Sequence, residues 1–158
     1  MKSLELVIVR STYICSSPKT KSRYTREATV GVCIYIDVVR DGKKLGSCDL
    51  DSSAYHLRVG LEALGLDGDE IVHGVGGPDG VDAEGSEEGF VGRLAPEQVK
   101  AFWERLSPIT VEQFMTGLRT TENVNGDDEE YVTLYFADLK ETYSAAVHAD
   151  AGMTMSWY

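Results

Sequence analysis

The chain has 158 residues, 42% of them hydrophobic, which is enough for one domain to bury an ordinary core without a disulfide or metal staple. Its net charge of −11 is divided: residues 1–48 hold nine Lys/Arg against four Asp/Glu, and residues 49–158 hold six against twenty-two, or −16. That imbalance disfavours nucleic acid as a partner of the larger part, because binding phosphates takes clustered cations, and it matches a basic protein surface or a simple solubility role.

No apolar run approaches the ~18 residues of a membrane span, and MKSLELVIVR lacks a signal-peptide cleavage site. The expectation is a cytoplasmic protein with no membrane partner. Three cysteines, Cys15, Cys33 and Cys48, have no CxxC spacing, which disfavours a disulfide framework and a thiolate zinc site.

In chain order, Leu4–Val9 is β-rich, and the stretch that follows carries Arg10, Lys19, Lys21, Arg23 and Arg26 around Ser16-Ser17-Pro18, as a solvated connection or an anion contact would. Thr29–Arg40 alternates Val30, Val32, Ile34, Ile36 and Val38 with Gly31, Cys33, Tyr35 and Asp37, the period-two signature of a strand. Asp41-Gly42 turns it into Lys43–Leu50 as a hairpin. Cys33 has no His or helix terminus beside it in sequence and reads as packing rather than as a nucleophile.

Ser52–Leu64 places Ala54, Leu57, Leu61 and Leu64 on one helical face, with Asp51 or Ser52 as N-cap, Gly65 just past the end, and Gly60 weakening the middle. Asp49 and Asp51, with His56 one turn on, are the candidate catalytic group, since close carboxylates split their pKa values and can divide acid and base work. The competing reading is that Asp51 caps its helix and the lone His56 has no partner.

Residues 65–92 read as a long irregular loop with seven glycines between His73 and Gly92. Its acids Asp79, Asp82, Glu84, Glu87 and Glu88 are the candidate binding residues of a functional surface loop, because structureless connections beyond about 12–15 residues are usually lids, binding loops or disordered segments. Gly74-Val75-Gly76-Gly77-Pro78-Asp79 lacks the last glycine of a dinucleotide fingerprint, no Lys-Ser/Thr follows as in a phosphate loop, and the acids miss the calcium-loop spacing.

Pro96 and Glu97 open a helix whose Val99, Phe102, Trp103 and Leu106 share a face; Ser107-Pro108 stops it. Thr110 and Gln113 form a capping box for a second helix with Val111, Phe114, Met115 and Leu118 apolar. After the turn-rich Arg119–Gly126, Asp127, Asp128, Glu129 and Glu130 open the longest helix, where the dipole favours them. Tyr131, Leu134, Tyr135, Leu139, Thr142, Tyr143 and Ala146 mark its core face, with the end near Ala151 set by Gly152. Met153, Met155 and Trp157 alternate with polar residues as a closing strand. His56, His73 and His148 lie on different elements without zinc spacing, and no metal or cofactor is implied.

The order Asp49-Leu50-Asp51, helix, Gly-rich loop, Leu94-Ala95-Pro96-Glu97-Gln98-Val99, then Leu106, Ile109 and Phe114, and a Tyr-bearing helix closing on a strand resembles the YfbM-like family, domain of unknown function 1877, over roughly residues 49–158. Where that family has Lys after the second Asp and an aromatic three positions beyond it, this chain has Ser52 and, displaced by one, Tyr55; residues 1–48 depart from the family's usual start. The resemblance implies a cytoplasmic bacterial α+β domain without an established activity.

The expected fold is therefore one α+β domain: a small, mainly antiparallel sheet with about four helices on one side. Two functions compete. One is a non-catalytic binding module, of inhibitor or immunity type, that takes a basic protein; the other is a small-molecule enzyme using an Asp49/Asp51/His56 cleft. As a monomer or homodimer, the protein has in Met153–Tyr158 a candidate strand edge for pairing with a second copy.

Overall fold

The computed structural model describes residues 33–75 and 91–157. Strands β1 (Ile34–Arg40) and β2 (Lys43–Asp49) form the expected hairpin, closed by Asp41 and Gly42, both at positive φ (52° and 71°), the geometry of a tight primed turn. A single 3-10 turn (Asp51–Ser53) leads into α1 (Ala54–Ala63), followed by α2 (Gly68–His73), β3 (Val91–Leu94), α3 (Pro96–Leu106), α4 (Val111–Thr121), α5 (Gly126–His148) and β4 (Gly152–Trp157). All strand pairs are antiparallel, in the order β2-β1-β4-β3.

This is the α+β arrangement that the periodicities predict, with five α-helices rather than about four. The additional one, α2, lies inside the stretch expected to be loop. GDEIVH is too short to show a helical period, yet Ile71 and Val72 are fully buried and Tyr143 donates a buried hydrogen bond to the Ile71 carbonyl, 2.7 Å. Tertiary contact decides that turn of helix. At its end Gly74 has φ 78°, and a Cβ there would stand 2.8 Å from the Arg93 nitrogen, so the backbone can approach β3 closely enough for Val75 and Arg93 to exchange two 3.0 Å hydrogen bonds. One glycine of the glycine-rich run is thereby accounted for by sheet construction.

The sheet's buried face carries Ile34, Ile36 and Val38 of β1, Leu94 of β3, and Met153 and Met155 of β4, in one cluster with the apolar faces of the helices. β4 closes the sheet as expected but as an interior strand, between β1 and β3; the sheet edges are β2 and β3, which removes Met153–Trp157 as an edge for pairing with a second copy. The fragment Leu4–Val9, the basic segment and Tyr158 lie outside the described residues, as does Thr29–Val32 of the expected strand.

Several boundaries differ from the pattern for local reasons. Val111 is 39% exposed and Leu134 60%, while the core face of α5 is Val132, Phe136, Leu139, Tyr143 and Ala146: the last three are as expected, and only in the first turns does the buried position move by one residue, from Tyr131 and Tyr135 to Val132 and Phe136. α5 stops at His148, not near Ala151: Ala149 caps it and Asp150 takes φ 49°, with Ala151 N–H on the Ala146 carbonyl and Asp150 N–H on that of Val147, a Schellman ending without glycine. Gly152 belongs to the strand. Residues 119–121, read as turn, complete α4.

Polar side chains tie the layers. Lys140 of α5 donates to the carbonyls of Ser107 and Ile109 (2.9 and 2.7 Å) beyond the end of α3, and its burial pulls its pKa down. Arg105 reaches Asp67 and the Gly65 carbonyl, fastening α3 to the α1–α2 corner, and Arg40 donates to the Ala149 carbonyl at the end of α5. Gly60, expected to weaken α1, is where α4 presses closest: a Cβ there would overlap the Phe114 ring, which stacks on Phe136 at 4.1 Å.

Candidate functional site

The carboxylates Asp49 and Asp51 flank Leu50, whose full burial and N–H bond to the Ile34 carbonyl fix the chain where β2 ends. Asp51 then enters the left-handed region, φ 45°, which costs a non-glycine residue on the order of 1–2 kcal/mol. Its N–H donates to Asp49 Oδ1 at 2.8 Å, an Asx-type contact that holds the corner. The expectation that Asp51 or Ser52 caps the following helix is corrected: Ser53 occupies the N-cap of α1 and makes no side-chain cap, and the Asp51 carboxylate faces elsewhere.

It faces Tyr131. The phenol, in the second turn of α5, donates to Asp51 Oδ2 at 2.9 Å, and Ser52 Oγ lies 3.0 Å from the same phenolic oxygen. Because the phenol's one proton goes to the carboxylate, Ser52 is the donor of the second bond. The Cys33 thiol donates to Asp51 Oδ1 at 3.5 Å. Two side-chain donors, the Tyr131 phenol and the Cys33 thiol, thus converge on the Asp51 carboxylate where β1, β2 and α5 meet, with Ser52 behind the phenol, and Tyr135 packs its ring 4.7 Å from that of Tyr131.

Burial, and less strongly the Asp51 carboxylate, push the Tyr131 phenol far above its ordinary pKa, so it acts as a hydrogen-bond donor at neutral pH. Its role in the site was not legible in sequence, since a tyrosine on an amphipathic helix reads as core; the only hint was its position one residue after the acidic run.

His56 does not join this network. Its Nδ1 is buried without a hydrogen-bond partner among the described residues, and its ring meets that of Tyr55 edge-on at 5.5 Å. The remaining histidines are used locally, His73 against Asp69 at 2.8 Å and His148 against the Ser144 carbonyl at 2.7 Å. Among the described residues no group of three or more His, Cys, Asp or Glu side chains is arranged to hold a metal ion. Asp79, Asp82, Glu84, Glu87 and Glu88 lie outside the described residues.

The acidic run at the start of α5 behaves in part as the dipole argument requires. Asn125 caps the helix by accepting from the Asp128 N–H at 3.1 Å, and Glu129 takes a two-pronged bond from Arg119 at 2.6 and 2.8 Å. Asp127, Asp128, Glu130, Asp138 and Glu141 stay exposed.

The family model of DUF1877, a domain of unknown function, matches residues 34–156. The chain belongs to this family. The match begins at Ile34, fifteen residues before the start of the sequence resemblance, so the β1–β2 hairpin is part of the DUF1877 unit and not an addition to it. A search of curated proteins and a search of solved structures each found no match. Within the DUF1877 unit the Asp51–Tyr131 bond joins the end of the hairpin to the long helix. No helix of the described residues is long and apolar enough to cross a membrane.

Proposed function

We propose that this DUF1877 protein is a non-catalytic protein-binding module, of inhibitor or immunity type, that presents an acidic surface to a basic partner in the cytoplasm. The observation that carries the reading is α5: from Glu122 to Asp150 the chain has eight carboxylates and one cation, Lys140. That cation is spent on the carbonyls after α3, and among the described residues Glu129 is the one ion-paired carboxylate of the stretch. A helix face left this acidic attracts cations over a Debye length, about 8–10 Å at ordinary salt, and speeds encounter with a basic surface.

Affinity capture from native lysate at low and then moderate salt tests it. One basic protein retained at low salt and released by moderate salt is the expected result; a partner whose association ignores ionic strength sinks the reading. A second reading, a small-molecule enzyme, draws on the strained Asp51 and its two side-chain donors, Tyr131 and Cys33, since left-handed non-glycine residues cluster at functional sites. In it Asp51 and Tyr131 hold a polar substrate, with Asp49 setting the corner and His56 outside the hydrogen-bonded group.

A further inference from the structure

The solvent face of α5 has a feature that its charge does not explain. Glu130, Leu134, Ala137, Asp138 and Glu141 recur at the three- and four-residue spacing that places side chains on one ridge, and all are exposed. Leu134 is 60% exposed in the middle of it. The ridge is therefore a solvated acidic strip around an apolar contact point, on a helix whose opposite face is buried in the core. Asp138 and Glu141 repel each other: partial burial and the neighbouring Glu141 raise the Asp138 pKa. A cation seated there would relieve that repulsion.

The same molecule carries the complementary sequence. Arg10, Lys19, Lys21, Arg23 and Arg26 fall in a stretch without a single Asp or Glu, interleaved with Tyr13, Ile14 and Tyr24. That stretch joins the described body at Cys33, whose thiol is on Asp51, which in turn holds Tyr131 beside Glu130. The attachment point thus lies at the acidic end of α5. Arg26 precedes Cys33 by seven residues and Arg10 by 23; at about 3.6 Å per extended residue these reach roughly 25 and 80 Å. α5, at about 1.5 Å per residue, is roughly 35 Å long. Reach imposes no obstacle, and a short tether supplies an effective concentration on the order of millimolar.

We infer that the basic segment Arg10–Arg26 docks on the Glu130–Glu141 ridge of its own α5, with Leu134 as the apolar contact, and competes there with the basic partner. The competition rests on the proposed binding function; the docking does not.

Zero-length carbodiimide cross-linking of the full chain, read by mass spectrometry, tests the docking. The expected products join Lys19 or Lys21 to Glu130, Asp138 or Glu141 within one molecule, at a yield independent of protein concentration and lost in 1 M salt. Absence of these products overturns the inference, as does a yield that grows with protein concentration, which would mean that a second copy is the occupant. Titration with a synthetic lysine-rich peptide tests the competition. The variant carrying Lys19→Gln, Lys21→Gln, Arg23→Gln and Arg26→Gln should bind that peptide about tenfold more tightly than the natural chain, the factor expected for an internal competitor at about 1 mM effective concentration whose own docking Kd is about 0.1 mM; equal affinities overturn the competition. Cross-links with no peptide binding by either chain would leave the docking standing and overturn the binding function. Peptide binding without the cross-links would do the reverse.

Discussion

Gly60 and Phe114 set opposite expectations against each other at a single residue. Helix propensity alone predicts that Gly60→Ala stabilises α1 by roughly 1 kcal/mol. The added methyl would overlap a ring that is fully buried and stacked on Phe136, so it has nowhere to move without separating α1 from α4. Overpacking of this kind costs about 1–3 kcal/mol, and we expect Gly60→Ala to lower the denaturant midpoint in equilibrium unfolding. Tyr143→Phe should cost a similar amount, about 1–3 kcal/mol, by leaving the buried Ile71 carbonyl without its donor; an unchanged midpoint would show that water replaces the phenol. Cys48 supplies a pH prediction. Burial raises its thiol pKa to about 11, from an ordinary value of 9.0. Folding therefore gains nothing from this group below pH 9, where both states keep the proton. Between pH 9 and about 11 the unfolded thiol ionises and the folded one does not, so stability should fall with pH over that window and stop falling beyond it, relative to a Cys48→Ala chain. Alkylation of Cys48 at pH 8 should accordingly be slow in the folded protein and fast in denaturant.

At the scale of elements, the sequence was legible wherever a helix or strand carries its own signal and opaque wherever a neighbour decides. Thr110 and Gln113 announce α4 by a box whose two bonds, 2.9 and 3.1 Å, form as expected. The alternation of Ile34, Ile36 and Val38 announces β1, because one face of that strand is buried and the other is not. By contrast α2 has six residues and no period to read, and Tyr131, half-buried against the core, extends its hydroxyl to the polar cluster at Asp51, a partner eighty residues away. That contact comes from folding, and no local pattern could have pointed to it. The end of α5 carries no such signal, because Asp150 fills the left-handed position that a glycine usually takes. Replacing it should help: Asp150→Gly keeps both backbone bonds of the ending and removes the cost of a side chain at φ 49°, so thermal unfolding should occur at a higher temperature by an amount equivalent to about 1 kcal/mol.

Over the whole molecule, the sheet order β2-β1-β4-β3 pairs the first described strand with the last, Tyr35 opposite Ser156 and Val39 opposite Gly152, with the entire helical layer strung between them. Folding must close that long loop before β1 and β4 can reward it, while the β1–β2 hairpin and the helix pairs form from near neighbours. Refolding should therefore be limited by β1–β4 docking. A Met155→Ala chain, whose side chain is buried beside Ile36 across that pairing, should then refold more slowly as well as unfold more readily. Stopped-flow kinetics that changed in the unfolding limb alone would place the pairing after the barrier.

The same pairing leaves the two boundaries of the family region, residues 34 and 156, side by side at one end of the sheet. A unit whose entrance and exit coincide can be spliced into a surface loop of another protein without stretching its host, as one inserts a bead through a single hole. It can also be rewired: a short bridge from β4 to β1, with new ends opened at the exposed Asn123, ahead of the Asn125 cap, should give a permuted chain that keeps the sheet, the Asp51–Tyr131 bond and the acidic ridge.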